Sequence, residues 1–359
     1  MPTMNAESFR GLGEIVKQNL KPYVKRIDVD AYYPADYLTA LGREGYLSSA
    51  GKEQADVRVN SVKLLEETSA TCMTTGFNLW CHQALLTYVR LSENEKLKGQ
   101  LLHRLENGEL LGGTGLSNPM KFYAGIDQLY LKAKRVKNGY LLSGNLPMVS
   151  NLGENHWFAV IAAADDNKRI MTVVPCHSAG LKMIEQTGFL GLNGSATYAC
   201  QFRDVLVPDD WVLSDQADDY VQIVRPTFVL YQIPLGLGVI AASLHAIRQA
   251  KDKQCGCNSY LPVQAEQLER ELERLRAETL RLAAAPDIQA LWPDLLKVRL
   301  ATVYLTLNAV QACMLHQGSA GYTFSSHPSR RLREAYFFAN LTPTVRHLEK
   351  LTSRVPVDE

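Results

Sequence analysis

Residues 188–213, GFLGLNGSATYACQFRDVLVPDDWVL, decide the fold of this chain. Gly188, Gly191 and Gly194 give the backbone the conformational freedom that a loop leading into a strand requires. The β-rich residues 197–202 predict a strand. The β-domain then ends with Val205, Val207 and Pro208 and with the apolar run 211–213. The stretch therefore predicts two strands of a β-domain followed by a sharp exit from it.

The spacing of the apolar residues changes twice along the chain. Residues 5 to about 110 have apolar positions at helical spacing. Residues 129–212 consist instead of short β-rich runs separated by turn residues such as Asn138-Gly139 and Ser143-Gly144. Helical spacing returns beyond residue 215, in 264–284 and 296–317. The pattern predicts an α+β protein: helices, then a β-domain, then a helical bundle.

Composition and charge narrow the class of protein. The chain has 38 basic and 37 acidic residues, so no overall field favours nucleic acid. The longest apolar run, 228–244, is interrupted by Gln232 and Pro234 and is shorter than the roughly 20 residues of a membrane span. We interpret that run as a buried helix. No membrane span and no nucleic-acid partner are expected.

The cysteines and the first residues indicate the compartment. The seven cysteines are scattered through mostly apolar surroundings, which is typical of reduced thiols. The Cys255-Gly-Cys257 pair has no second pair at zinc-binding spacing, so no metal is expected. Residues 1–30 mix charged and apolar positions instead of showing a basic and then apolar leader. We expect a cytoplasmic protein.

Several segments together resemble motifs of the acyl-CoA dehydrogenase superfamily. Residues 202–213 match F-x-D-V-x-V-P-x-x-x-x-L, and residues 139–144 are similar to its G-Y-x-L-N-G turn. Residues 33–46 and 318–333 resemble a helical P-x-x-x-x-x-L-x-x-x-G-L segment and a glycine turn that leads into an arginine-rich helix. The resemblance covers nearly the whole chain.

The resemblance implies an acyl-CoA dehydrogenase-like fold in three parts. These are an N-terminal α-helical domain at 1–110, a central β-domain at 111–214 and a C-terminal α-helical domain at 215–359. Members of the superfamily complete their cofactor pocket with a neighbouring subunit, so the resemblance also implies a homodimer or homotetramer.

The same resemblance implies FAD as the cofactor. The family's T-E-P turn beside the flavin corresponds to Ser117, Asn118 and Pro119. Its strand along the flavin ring corresponds to residues 144–151, which include Met148 and Ser150. The glycine turn that meets the neighbouring subunit's cofactor corresponds to Gly318 and Ser319. The segment whose arginine meets the FAD pyrophosphate corresponds to residues 253–262, which hold no arginine.

The catalytic base of acyl-CoA dehydrogenases has no counterpart at either of its usual positions. Removal of the α-proton of an acyl thioester needs a carboxylate whose pKa is raised by a water-poor site. The two positions of the family's glutamate correspond to Thr342 and Val224. Asp127, Glu154 and Glu334 lie in motif-bearing segments, but we interpret them as surface or helix-pairing residues. The catalytic residues therefore stay unknown at this stage.

Three functions remain open. The first is a flavin-dependent oxidoreductase that acts on a small molecule, such as an acyl-CoA thioester, and passes electrons to an electron-transfer flavoprotein. The second is a two-component monooxygenase that takes reduced flavin from a flavin reductase and activates O2, with Ser117, Ser150 and His316 as candidate hydrogen-bond donors. The third is a non-catalytic homologue that serves as a binding or assembly subunit.

Overall fold

The computed structural model describes residues 6–165, 168–253 and 256–353, and the side chains of 11–165, 168–250 and 256–353. Its first third is helical, as the apolar spacing predicts. The helices of this part are α1 (Ala6–Ile15), α2 (Val24–Val29), α3 (Ala35–Arg43), α4 (Gln54–Thr71), α5 (Met73–Leu91) and α6 (Glu95–Glu106). A π-helical turn at Val16–Leu20 and a 3-10 turn at Lys21–Tyr23 join α1 to α2.

Helix α5 is the centre of the molecule. Every residue from Met73 to Val89 is buried, including polar ones such as Asn78 and His82. A helix that is buried all round must have partners on every side. Helix α5 packs against α4 and α6, against the strand Gly112–Thr114 (β1) and against the helix Ala217–Leu230 (α8). It thereby connects the first helices, the sheet and the last helices, and its side chains line the cavity described below.

The middle third forms one mixed sheet. Its strands are β1 (Gly112–Thr114), β2 (Leu131–Val136), β3 (Gly139–Val149), β4 (Trp157–Ala163), β5 (Arg169–Pro175), β6 (Leu181–Glu185), β7 (Tyr198–Pro208) and β8 (Val212–Ser214). The spatial order is β6-β7-β3-β2-β4-β5-β8, and β1 pairs with β4 in parallel. A short helix, α7 (Ser117–Tyr123), lies between β1 and β2.

Two local expectations for the sheet are wrong. Ser143-Gly144 is not a turn, because β3 continues through it with a shift in register against β7. Gly144 has φ of +133°, and a Cβ there would lie 2.2 Å from the Tyr130 carbonyl oxygen. The strand expected at 197–202 instead runs to Pro208 and passes through Asp204 at φ of +51°. The Asn138-Gly139 turn between β2 and β3 is confirmed. The expected turn at 165–167 lies largely outside the described residues.

Helices form the last third. They are α8 (Ala217–Leu230), α9 (Ile233–Lys253), α10 (Ala265–Ala284), α11 (Trp292–Gln317), α12 (His327–Asn340) and α13 (Val345–Thr352). The apolar run 228–244 is buried as expected, but it is split between two helices. The α8 helix ends before Tyr231, and Pro234 stands in the first turn of α9, where the missing amide hydrogen is tolerated.

Two stretches of this part are long and apolar enough to span a membrane by composition alone, Ala217–Ala250 and Trp292–Tyr322. The more apolar of them is 89% buried inside the protein. Its close packing has a local cause, because a Cβ on Gly238 would lie 2.6 Å from the Glu66 carbonyl oxygen of α4. Glycine at this position lets α9 approach α4, so the stretch consists of two helices, α8 and α9, packed in the core of the bundle.

Candidate functional site

A cavity of about 460 Å³ lies where α5, the sheet and α12 meet. Its lining comes from the middle of α5, the end of β3, the loop 189–197, α8 and the end of α12. Its volume falls within the range of roughly 300–1,000 Å³ that is typical of small-molecule sites. Four residues singled out from the sequence line it together, namely Ser117, Met148, Ser150 and Thr342.

The floor of the cavity carries a pair of hydroxyl groups. Ser117, at the start of α7, lies 3.0 Å from Thr342 between their Oγ and Oγ1 atoms, although 225 residues separate them in the chain. Thr342 follows α12 and is only 6% exposed. Its backbone carbonyl accepts a hydrogen bond of 2.9 Å from the Gln232 side chain. Thr342, which the sequence resemblance predicts at a position of the dehydrogenase base, is therefore a fixed, neutral hydroxyl in the cavity floor.

A separate row of hydroxyl groups in the cavity begins with Ser150. Its Oγ lies 2.7 Å from Thr197 Oγ1, which in turn lies 2.8 Å from Ser195 Oγ. All three side chains line the cavity, so β3 and the loop before β7 present a connected row of hydroxyl groups. Met148 stands at the rim with 59% of its surface exposed.

Aromatic side chains form the opposite wall. Phe77 and Trp80, one turn apart on α5, stack with ring centroids 5.5 Å apart. Phe337 meets the edge of Phe77 at 4.7 Å, and Phe228 meets Trp80 at 4.8 Å. The Trp80 indole nitrogen donates to the Phe228 carbonyl at 3.1 Å, which fixes its ring plane. The cavity thus combines flat apolar faces with a few hydroxyl groups.

Asp and Glu are absent from the described residues that line the cavity. Arg333 lines it, but an ion pair with buried Asp28 neutralises its charge. Cys81 also lines it, and burial raises the pKa of this thiol well above its usual range. The side chain therefore stays a protonated thiol, and the cavity offers no strong base near neutral pH.

The three carboxylates discussed above lie elsewhere. Glu334 is 1% exposed and pairs with Arg330 at 2.8 Å, while its Oε1 accepts the Met73 amide at 3.1 Å at the start of α5. Burial raises the pKa of Glu334, and Arg330 opposes that shift. Glu154 is exposed, and Asp127 accepts hydrogen bonds within its own loop from Gln128 and Tyr130.

Other predicted site residues do not reach this cavity. Pro119 is buried in α7, and Val224 is fully buried in α8; neither is part of the lining. Gly318 and Ser319 are exposed in the turn after α11, where Gly318 has φ of +56°. His316 is not a donor to the cavity, because its Nε2 lies 2.9 Å from the Val263 carbonyl oxygen in the bundle.

The segment 253–262, which the resemblance aligns with the family's pyrophosphate-binding segment, is described only in part. Residues 254 and 255 lie outside the described residues, and the side chain of Lys253 does too.

Asn118, in the turn beside the expected flavin, has a structural role instead. Its amide nitrogen donates to the Gln128 carbonyl at 2.7 Å and its oxygen accepts the Tyr130 amide at 3.0 Å.

Sequence reasoning missed most of the lining. The aromatic wall of α5 and the Ser195–Thr197 hydroxyl groups were not assigned to a site. Phe77 and Trp80 are three positions apart on one helix face, which is the signal that could have identified them, but a buried core helix shows the same spacing. Only the three-dimensional fold distinguishes the two cases.

A buried cation supports the cavity floor from behind. Arg299, in α11, is 0% exposed and donates from Nε to Gln232 Oε1 at 2.9 Å and from its Nη2 to the Phe338 carbonyl at 3.1 Å. Its guanidinium also lies 3.8 Å from the centre of the Phe338 ring. Burial lowers the pKa of Arg299 to about 9. Gln232 therefore links Arg299 to the Thr342 carbonyl and holds the floor in place.

Comparisons with known proteins agree with this architecture. No family model matches the chain. The probable acyl-CoA dehydrogenase FadE25 of Mycobacterium tuberculosis is 23% identical over 367 residues, which cover 93% of this chain and 90% of that protein. Among solved structures, a glutaryl-coenzyme A dehydrogenase in complex with glutaryl-CoA matches with a TM-score of 0.87, 19% identity and coverage of 98% and 96%.

Solved structures that are not acyl-CoA dehydrogenases by name match as well. The dibenzothiophene monooxygenase TdsC from Paenibacillus sp. A11-2 has a TM-score of 0.83, 14% identity and coverage of 99% of each chain. KijD3 in complex with FMN and a dTDP-sugar has a TM-score of 0.76, 20% identity and coverage of 96% and 93%. The fold and the site therefore define a class of protein in which helices enclose a sheet and a cavity lies between the helices and the sheet. The fold is acyl-CoA dehydrogenase-like, and the sequence is similar to those of probable acyl-CoA dehydrogenases.

Proposed function

We propose that this protein is a flavin-dependent monooxygenase that binds reduced flavin and a small apolar substrate in the cavity between α5, β3 and α12. One observation carries the proposal: the Thr342 hydroxyl pairs with Ser117 in a lining that offers no described carboxylate, at the position that the family resemblance assigns to the dehydrogenase base. Desaturation of an acyl thioester needs such a carboxylate, whereas oxygenation needs a dry pocket and hydrogen-bond donors.

The chemistry of the lining fits a flavin. A flavin ring is flat and aromatic on its faces and polar along one edge. The wall formed by Phe77, Trp80 and Phe337 suits the faces, and the hydroxyl groups of Ser117 and Ser150 suit the polar edge. When bound, reduced flavin supplies two electrons and two protons, so that one atom of O2 enters the substrate and the other leaves as water.

The residues of the chain would act by binding and by excluding water. Thr197 holds the Ser150 hydroxyl, and Ser195 holds Thr197, so Ser150 can present either a proton or a lone pair to the ligand at a fixed point. Thr342 and Ser117 do the same on the floor. Met148, at the rim, closes the cavity against solvent with a flexible apolar side chain.

FAD is the cofactor that we propose, with FMN as the alternative to be tested beside it, since the KijD3 structure contains FMN. We also propose a cytoplasmic homodimer or homotetramer. Near the glycine turn, Tyr322 is 84% exposed and Phe324 is 62% exposed, and such an apolar surface supports contact with a second copy. In that arrangement Gly318 and Ser319 would face the partner's cofactor.

The first experiment measures flavin binding and its consequence. The purified protein is titrated with FAD and FMN, each oxidised and reduced, under anaerobic conditions, and flavin fluorescence is followed. We expect tighter binding of reduced flavin. On admission of O2, product formation from a panel of neutral aromatic and heteroaromatic compounds is measured with a flavin reductase present. No binding of any flavin would support the non-catalytic homologue instead.

A second experiment separates oxygenation from desaturation. Flavin-loaded protein is mixed anaerobically with acyl-CoA thioesters of several chain lengths, and the visible absorbance of the flavin is recorded. We expect no bleaching, because no described carboxylate can take the α-proton. Bleaching would contradict the monooxygenase proposal and would make the protein a dehydrogenase with a base from outside this lining. In that case an electron-transfer flavoprotein would be the expected electron acceptor.

A further inference from the structure

A second pocket, of about 270 Å³, lies on the far side of α5 and α8 from the cavity. We refer to it as the cationic pocket. Its walls come from the loop before α4, the first turn and a half of α4, the end of α5, α6 and the end of α8. Four basic side chains line it, those of Lys52, Arg58, Arg90 and Lys98, and no carboxylate is among its described lining residues.

Only two of these cations are balanced by acids. Arg90 pairs with Glu106 at 2.9 Å, and Lys98 pairs with Glu95 at 2.8 Å. Lys52 donates to the Ser48 carbonyl at 2.7 Å, and Arg58 donates to the carbonyls of Ala283 and Ala285 at the end of α10. Among the described residues, Lys52 and Arg58 thus have carbonyl oxygens as partners and no carboxylate.

The positive charges are close enough to oppose one another. Burial, and next the charge of Arg90, lower the pKa of Lys52, and the charge of Glu106, the partner of Arg90, opposes the shift only in part. Burial raises the pKa of the Tyr231 hydroxyl, and the charges of both Arg90 and Arg58 oppose that shift, so both guanidinium groups act on this part of the wall. Arg58 is only 5% exposed. Charges crowded in this way are stabilised by an anion that enters between them.

The remaining walls are apolar or carry hydroxyl groups. Val57, Leu91 and Leu102 line one side, and the buried Thr87 and Tyr231 line the other. A simple inorganic anion would leave the apolar side empty. An organic anion with a short apolar group would fill both parts of the pocket.

We propose that the cationic pocket is a binding site for a small organic anion, a phosphate monoester or carboxylate with a short apolar group. The site is separate from the flavin cavity, and it does not depend on the proposed oxygenase function. Residues of α5 and α8 line both pockets, with Thr227 on this side and Phe228 on the other.

The test uses protein without added flavin, so that its result is independent of the oxygenase assay. Thermal unfolding is followed by tryptophan fluorescence during titration with inorganic phosphate, with NaCl at matched ionic strength as the reference. We expect a saturable rise in Tm with phosphate only. Isothermal titration calorimetry should give a lower Kd for phenyl phosphate than for inorganic phosphate, because the phenyl group contacts the apolar side.

Paired variants locate the site. Lys52→Gln with Lys98→Gln should weaken phosphate binding at least about tenfold, and leaves the buried Arg58 in place. Lys132→Gln with Lys134→Gln removes the same charge from exposed positions of β2 and should bind phosphate like the wild type. The proposal is overturned if phosphate gives no shift beyond that of NaCl, or if both double variants lose affinity equally. Equal affinity for phenyl phosphate and inorganic phosphate would contradict the role of the apolar side.

Discussion

The two faces of α12 make opposite use of polar groups. One face carries the buried Arg330–Glu334 pair against the start of α5, where Glu334 accepts the Met73 amide. The other face, with Phe337 and Asn340, borders the cavity and leads to Thr342. Charges on the first face are paired and hold two helices together. Beside the cavity, neutral hydroxyl groups take the place of a carboxylate.

This difference shows why proximity in sequence misleads about catalysis. Glu334 lies only eight residues before Thr342 along the chain. Its oxygen is nonetheless occupied by a guanidinium and by backbone amides of α5. A carboxylate with these partners is a structural group, since removing a proton from a substrate would require breaking the contacts that hold α5 and α12 together.

The largest effect is expected from Glu334→Gln. The amide keeps the shape but leaves Arg330 as a buried charge without a counter-ion, so unfolding free energy should fall by about 3–5 kcal/mol. Equilibrium unfolding in guanidinium chloride measures the change. A loss below about 1 kcal/mol would mean that the first face of α12 does not depend on its ion pair, and the contrast between the faces would fail.

The pH dependence of stability is expected to come in part from α5. Burial lowers the pKa of His82 to about 3, from 6.5 in the unfolded chain, and its Nε2 donates to the Leu105 carbonyl at 3.0 Å. The stabilisation is therefore fully present above pH 6.5 and is lost as the pH falls towards 3. His82→Gln keeps a donor and should flatten the curve of unfolding free energy between pH 6 and 4.5 by about 1.4 kcal/mol per pH unit.

The matched control is His245→Gln, at an exposed position of α9. It should leave the pH slope of the wild type unchanged. Urea unfolding at several pH values compares the three proteins. If His82→Gln retains the wild-type slope, another group must take up the proton on unfolding.

A smaller effect is expected on the cavity face. Thr342→Val removes the hydroxyl that pairs with Ser117 and should lower the unfolding free energy by about 1 kcal/mol. Flavin titration of the variant should show weaker binding, because Ser117 loses the partner that orients it. Thr323→Val, exposed after the glycine turn, is the control and should match the wild type in both measurements. Unchanged flavin affinity in Thr342→Val would place the flavin elsewhere.

The smallest effect is expected from an exposed carboxylate of the same region. Glu349, on α13, accepts a hydrogen bond from the Tyr304 hydroxyl at 2.6 Å on the surface. Glu349→Gln should change the unfolding free energy by less than about 0.5 kcal/mol. A change as large as that of Glu334→Gln would show that burial does not separate the two glutamates.

The order of helices, sheet and helices could be predicted because the apolar spacing changes from helical to alternating and back. The Asn138-Gly139 turn was readable for the same local reason, as a two-residue connection between strands. The end of the strand at Pro208 was not, since the positive φ of Asp204 keeps the strand going where side-chain pattern suggests a break. The break between α8 and α9 was not predicted either, although Gln232 and Pro234 interrupt the apolar run at this point.

The cavity could be predicted only at positions with a family counterpart, such as Ser117 and Ser150. The pair of Ser117 with Thr342 depends on a contact across 225 residues, which no local pattern encodes. Arg299 lies in an apolar helix and is held by Gln232 and an aromatic ring rather than by an acid. A sequence shows that such an arginine exists but not which groups solvate it.

The rim and the walls of the cavity differ in stiffness. Helix α5 is enclosed on all sides, so its aromatic residues cannot swing aside. At the mouth, by contrast, Met148 is 59% exposed and Leu190 is 68% exposed. Rotation of these two side chains takes nanoseconds or less and disturbs no helix. Under the proposed function, flavin arrives reduced and departs oxidised in every cycle, and the mouth beside Met148 and Leu190 is the passage that we propose for it.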